Sequence, residues 1–330
     1  MTHAPATRRR FIRILAASGA ALAAGPLAAA VRSEPVTWSG IALGADAQMQ
    51  LLHPDRAHAE KLVALAVAEV HRLEKIFSLY QDDSALVQLN RSGRLDRPAA
   101  DMARLISEAL QFSRATDGCF DVSVQPLWQL YARQLQAGKP LPPAPRDLQR
   151  ALASVGWQHV LVDEQAIALA RPGMALTLNG IAQGYITDRV TELLRANGLE
   201  HALVDLGETR AIGRPEHRDA WLAGIADPAN RAQLLGKVAL RDQALATSGG
   251  YGTPLTADGS ATHLFDPRSG LARPRWASVT VRAANATTAD ALSTAFSLMD
   301  EHAITRVARE YQAQAWLLAH GQGQQLIRIG

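Results

Sequence analysis

The sequence predicts an α+β fold of mixed sheets with packed helices. Helical and strand-like apolar patterns alternate along the chain without the regular strand–helix–strand order of a doubly wound parallel sheet. No internal repeat is visible, and only residues 138–147 (GKPLPPAPRD) read as a proline-rich exposed loop or insertion. The 330 residues, 48% hydrophobic and 20% charged, suit one large domain or two small ones.

Residues 36–53 (VTWSGIALGADAQMQLLH) alternate loosely and read as one or two strands. From Ala57 to Leu79, the residues Leu62, Val63, Ala66, Val70, Leu73 and Ile76 recur at helical spacing with charges between them, which predicts an amphipathic helix. Ser78–Arg94 reads as loop with a helical turn at Ser84–Leu89, capped by Asp83 or Ser84. Ala99–Arg114 is a second amphipathic helix. A loop at Thr116–Asp121 leads through a strand or turn into a helix at Gln125-Pro126-Leu127-Trp128. Asp147–Val155 is a short helix, and His159–Val162 and Ala166–Leu169 are strands. Residues 174–178 (MALTL) are a further strand entering Asn179–Gly184. Ile186–Asn197 is a helix, and Gly198 suits its end because glycine enters the left-handed region without penalty. Strands are expected at His201–Leu206, Trp221–Ile225, Gly236–Leu240, Ala244–Ser248 and Ser278–Val281. Helices are expected at Thr288–Leu298 and 301–312, and strands at 313–319 and 324–329.

Charge is uneven. The formal +3 arises at the N-terminus, where Arg8, Arg9, Arg10 and Arg13 stand without an acid before residue 31. Without those four, 30 of the 34 basic residues remain against 31 acids, so the body is near neutral and no basic stripe supports nucleic-acid binding. Thr7-Arg8-Arg9-Arg10-Phe11-Ile12-Arg13 fits a twin-arginine export signal. The Ala-rich run Ile14–Ala30 follows and ends in Ala28-Ala29-Ala30, which places cleavage after Ala30 and the mature chain in the periplasm with no membrane span. An uncleaved N-terminal anchor is the other reading of the same run. Cys119, alone, can form neither an intrachain disulfide nor a cysteine-based zinc site, and reads as a small apolar filler.

Three glycine-containing turns stand at strand ends: Asn179–Gly184, Leu206-Gly207 and Thr247–Gly252. Such turns let backbone approach a ligand closely, and equally serve as plain punctuation. Thr262–Gly270 gathers His263, Asp266 and Arg268, in which His263 is a proton carrier or a hydrogen-bonded structural histidine. Asp290 and Thr294, four apart on a helix, share a face and can offer hard oxygen ligands to Mg²⁺; an N-cap contact with a buried threonine fits the same pattern.

In order, these segments resemble the ApbE family, the FAD:protein FMN transferases. The matching pieces are Leu43-Gly44, Ser78-Leu79-Tyr80 with Asp83-Ser84 and Leu89-Asn90, Gly118-Cys119-Phe120-Asp121 with Pro126-Leu127, and Gly180-Ile181-Ala182-Gln183-Gly184-Tyr185 with Asp188. Further on come Val204-Asp205-Leu206-Gly207, Ala246-Thr247-Ser248-Gly249, His263 with Asp266-Pro267-Arg268, and Asp290-Ala291-Leu292-Ser293-Thr294-Ala295. The resemblance implies an FAD cleft between two halves of the fold and an Mg²⁺ ion at the pyrophosphate. It implies transfer of FMN to a Thr or Ser of an acceptor protein, a periplasm-facing respiratory or electron-transfer protein, with AMP leaving. Carried over by position, Asp290, Thr294 and the Ala182 carbonyl bind the metal. Leu43, Tyr80, Cys119, Phe120, Asp121, Gln183, Thr247, Ser248 and Leu264 line the FAD site, and His263 with Asp290 is catalytic. The chain departs from the family pattern at Thr177 (usually Asp), Gln183 (often Lys) and Glu208 (often Gly). Leu206–Arg210 together with the export signal is also similar to the NosX-type branch, which serves nitrous-oxide respiration. FAD hydrolysis and non-catalytic flavin carriage are the competing readings.

Overall fold

The structure, a computed structural model, describes residues 34–321 and 324–330. The export signal expected in residues 1–30 lies outside the described residues. A tight hairpin opens the fold: Leu43 and Gly44, both at positive φ (47° and 75°), turn β1 (Val36–Ala42) directly onto β2 (Ala45–Leu52), with Ala42 opposite Ala45. Three helices with a short strand between them follow: α1 (Arg56–Phe77), α2 (Ala85–Ser92), β3 (Arg94–Asp96) and α3 (Ala100–Ala115). Then come α4 (Gln125–Gln136), α5 (Pro145–Leu152), β4 (Val160–Val162), β5 (Ala166–Leu169) and α6 (Ala182–Ala196). Five strands occupy the next stretch: β6 (His201–Asp205), β7 (Thr209–Ile212), β8 (Trp221–Ala226), β9 (Leu234–Leu240) and β10 (Ala244–Ser248). The chain closes with β11 (Ser278–Ala283), α7 (Ala286–Phe296), α8 (Glu301–Glu310), β12 (Gln314–Leu318) and β13 (Leu326–Ile329).

Eight strands form one sheet in the order β1-β2-β6-β7-β10-β11-β12-β13, every neighbouring pair antiparallel. One face carries Met49, Leu51, Val204, Val279, Val281 and Leu317 into the main core, against Leu62, Leu73, Ile186, Val190, Leu292 and Phe296 of the helices. The other face carries Leu203, Ala211 and Leu245, covered by Trp221, Ile225, Val238 and Leu240 of the two-stranded β8–β9 ribbon. The sheet is therefore buried on both sides, which explains why β6 carries Ala202, Leu203 and Val204 in succession and why β7 is buried at all four positions. A separate cluster of Leu127, Leu130, Tyr131, Leu148 and Phe265 ties α4 and α5 to the segment 261–272.

The α+β reading holds, with local corrections. Residues 174–178 join no sheet. The Asn90 carboxamide takes the place of a partner strand: it receives the Leu176 amide at 2.6 Å and donates to the Leu176 carbonyl at 2.9 Å, while the Thr177 amide reaches the Val122 carbonyl at 2.8 Å. Helix α6 starts at Ala182 rather than Ile186, and α7 at Ala286 rather than Thr288. Strands β3 and β7 were not expected. β3 has three residues, too few to establish a period, and β7 has four, all of them buried, so it shows no alternation. Of the two capping candidates, Ser84 caps α2, its hydroxyl accepting the Val87 amide at 3.1 Å.

Candidate active site

Helix α7 is buried nearly all round and carries a carboxylate in its middle. Asn285 caps it, accepting the Thr288 amide at 2.8 Å. Asp290, fully buried, accepts the Gly184 amide at 3.0 Å. Glycine is required there, because a Cβ at Gly184 would lie 2.3 Å from the Ala286 carbonyl oxygen and 2.9 Å from the Asp290 Cβ. One turn after Asp290, half-buried Thr294 places its hydroxyl 3.3 Å from that of Ser248. Ser248 lies 2.8 Å from the Ser293 hydroxyl, and Ser293 donates to the Asp290 carbonyl at 3.0 Å. Gly180 closes over this pair: a Cβ there would stand 2.9 Å from Thr294 Oγ1.

Thr294 and Gly180 form part of the wall of an open cleft. Six expected residues line it: Cys119, Phe120, Asp121, His263, Leu264 and Thr294. Cys119 is buried, and burial pushes its thiol up, so it stays protonated and serves as an apolar wall. The Asp121 carboxyl is also pushed up by burial, against hydrogen bonds from the Ser123 hydroxyl (2.6 Å), the Ser123 amide (2.7 Å) and the Trp157 amide (3.0 Å). Those bonds make it a brace for the cleft loop. His263 is half-buried, with Nδ1 3.3 Å from the Thr253 carbonyl. A carbonyl only accepts, so in the neutral ring the proton sits on Nδ1 and Nε2 carries the lone pair.

Other expected residues stand behind or beside the cleft. Ser248 touches Thr294 as described, Asp290 lies one turn below it, and Ala182 opens α6 two residues after Gly180. Gln183 is buried against Gly207, which sits at φ 103°; a Cβ at Gly207 would be 2.5 Å from Gln183 Nε2. Thr247 faces β11, its hydroxyl 2.9 Å from that of Thr280. Leu43 is held in its turn by a hydrogen bond that its amide donates to the Glu74 carboxylate (2.7 Å), and Tyr80 is 67% exposed in the α1–α2 connection; neither lines the cleft. Of the departures from the family pattern, Thr177 lines the cleft, and Glu208 is fully buried, its carbonyl accepting from Leu206 N and Thr187 Oγ1, each at 3.2 Å. Sequence reasoning assigned no site role to Trp128 and Phe265, which meet edge to face at 6.2 Å and line the cleft together, nor to Ser293. An aromatic pair 137 positions apart leaves no local signal.

The donor set that the family resemblance implies, Asp290, Thr294 and the Ala182 carbonyl, is all oxygen with one carboxylate. Among the described residues no group of three or more His, Cys, Asp or Glu could hold a metal. A sparse, hard oxygen set fits Mg²⁺, which keeps several waters and completes its octahedron on substrate phosphates.

An antiparallel sheet backed by buried helices is the fold of known flavin transferases. The structure is similar to the flavin transferase ApbE of Vibrio cholerae (TM-score 0.77, 25% identity, 89% of this chain and 96% of that one). It is also similar to the flavinyl transferase ApbE of Pseudomonas stutzeri (TM-score 0.75, 27% identity, 89% and 94%). The chain belongs to the ApbE family, whose model matches residues 43–317. Curated relatives named FAD:protein FMN transferase include one of Klebsiella pneumoniae (strain 342), 30% identical over 71% of this chain and 72% of that protein. Another, of Treponema pallidum (strain Nichols), is 31% identical over 74% and 76%.

Proposed function

We propose that this chain is a Mg²⁺-dependent FAD:protein FMN transferase. It splits the pyrophosphate of FAD, joins FMN through a phosphoester to a Thr or Ser hydroxyl of an acceptor protein, and releases AMP. The observation that carries the reading is the placement of Thr294, with Asp290 buried one turn below, on the wall of the same cleft as His263. Asp290, Thr294 and the Ala182 carbonyl would hold the cation. When bound, it neutralises charge on the pyrophosphate and polarises the phosphorus under attack. Phe120 and Leu264 provide apolar wall for the flavin. His263, with its lone pair on Nε2, takes the proton from the acceptor hydroxyl, a weak nucleophile without a base. The acceptor is a periplasm-facing respiratory or electron-transfer protein, and the residues 1–30 pattern supports export by the twin-arginine route.

The test incubates the chain with FAD, Mg²⁺ and a periplasmic domain bearing a flavinylation-type threonine, with EDTA as control, and reads flavin fluorescence on a denaturing gel. A fluorescent acceptor band that EDTA abolishes is expected. FAD cleaved to FMN and AMP without a band would replace transfer by hydrolysis, and intact FAD would indicate a carrier.

A further inference from the structure

We propose that Asp188 is the positioning residue of the cation site, fixing the first turn of α7 and thereby the place of Asp290 and Thr294. The inference rests on the reading above that those two side chains hold the cation. Asp188 lies on α6 and is buried. One carboxylate oxygen accepts the Ala286 amide at 2.8 Å and pairs with the Arg210 guanidinium; the other accepts the Thr287 amide at 2.8 Å and the Thr287 hydroxyl at 2.6 Å. Asn285 takes the Thr288 amide. The amides at the positive end of a helix attract an anion, and here that anion is built into the chain.

The clasp is reciprocal. Asp188 on α6 receives the first amides of α7; Asp290, one turn into α7, receives the Gly184 amide, one turn before Asp188 on α6. Each helix presents a carboxylate to the other's backbone, and the side chain missing at Gly184 lets them close. Arg210 brings β7 into the same knot, so the sheet, α6 and α7 are registered at one carboxylate. Buried ion pairs are weak contributors to net stability, since apolar isosteres often do as well. Geometry is what this one supplies. Thr294 has little room to move, because the Gly180 backbone already excludes a methyl group beside its hydroxyl.

The test titrates the full chain with Mg²⁺ by calorimetry, measures FAD affinity without metal by fluorescence quenching, and follows thermal unfolding. Asp188→Asn keeps the shape but loses the charge. It is expected to weaken Mg²⁺ binding by about tenfold or more while FAD affinity without metal is unchanged, and to regain transfer rate as Mg²⁺ is raised. A purely structural role would lower the melting temperature and leave the Mg²⁺ affinity of the folded protein alone. Thr287→Val, which removes one hydrogen bond and spares the ion pair, serves if Asp188→Asn does not fold, with a loss of about two- to fivefold expected. Unchanged Mg²⁺ affinity in whichever variant folds, beside an Asp290→Ala control that no longer binds, would overturn the role of Asp188 and leave the cation site standing. An Asp290→Ala control that binds Mg²⁺ normally would remove both.

Discussion

At the scale of single residues, the site depends on atoms that are present and on atoms that are missing. Asp290→Asn retains an acceptor for the Gly184 amide, so the fold should survive with a loss of about 1–2 kcal/mol, while covalent flavin transfer falls to background. Thermal unfolding beside the gel assay separates the two effects. Gly180→Ala should act from the opposite side, since its methyl would press on Thr294 at 2.9 Å; weaker Mg²⁺ binding with little change in FAD affinity is the expected outcome of calorimetry. The spacing of Asp290 and Thr294 was legible in the sequence, because i and i+4 share a helical face whatever surrounds them. The partners were not: Ser248 lies 46 positions from Thr294 and Asp188 lies 99 from Thr287, and no local rule connects them.

At the scale of elements, the long amphipathic helices and the strand pattern of residues 36–53 were legible, and the short strands β3 and β7 were not. Helix α1 buries Leu62, Ala66, Val70 and Leu73, a stripe that its periodicity announces. Strand β7 is buried along its whole length and shows no stripe at all. Residues 174–178 carry a strand-like composition, yet their amides and carbonyls are met by Asn90 and Val122, one a side chain and the other a loop. Asn90→Ala would leave both Leu176 backbone groups unmet, and should cost about 2 kcal/mol in urea unfolding. Ser84→Ala removes the cap of α2 and the bond from its hydroxyl to the Ser78 carbonyl (2.6 Å), for an expected loss of about 1–2 kcal/mol.

At the scale of the whole molecule, the family pattern was readable because its pieces keep their order from Leu43 to Ala295, inside the matched span 43–317. The fold brings most of them to one sheet–helix junction, and leaves Leu43 and Tyr80 outside the cleft lining. One piece also governs global stability. Asp205, at the end of β6, accepts the Gly207 amide at 3.2 Å, but burial dominates and pushes its carboxyl up to about 7. The folded chain therefore holds this proton more tightly than the unfolded one. The resulting stability is full below about pH 4 and is lost as pH rises to about 7, at up to about 1.4 kcal/mol per unit. Asp205→Asn should flatten that slope in denaturant melts taken between those limits. Export is a property of the whole chain too: replacing Arg8 and Arg9 by Lys should leave the protein in the cytoplasm on fractionation, and normal export would end the twin-arginine proposal.

The hydroxyls beside Asp290 have a direction. Ser293 has one proton and gives it to a carbonyl, so toward Ser248 it can only accept. The proton of Ser248 is thereby assigned, and Ser248 in turn can only accept from Thr294. The Thr294 proton points into the protein, leaving its lone pairs for whatever enters the cleft. A helix carbonyl three hydrogen bonds away thus polarises the wall in advance, and the cation proposed for this site would meet an oxygen that has no hydrogen to turn aside.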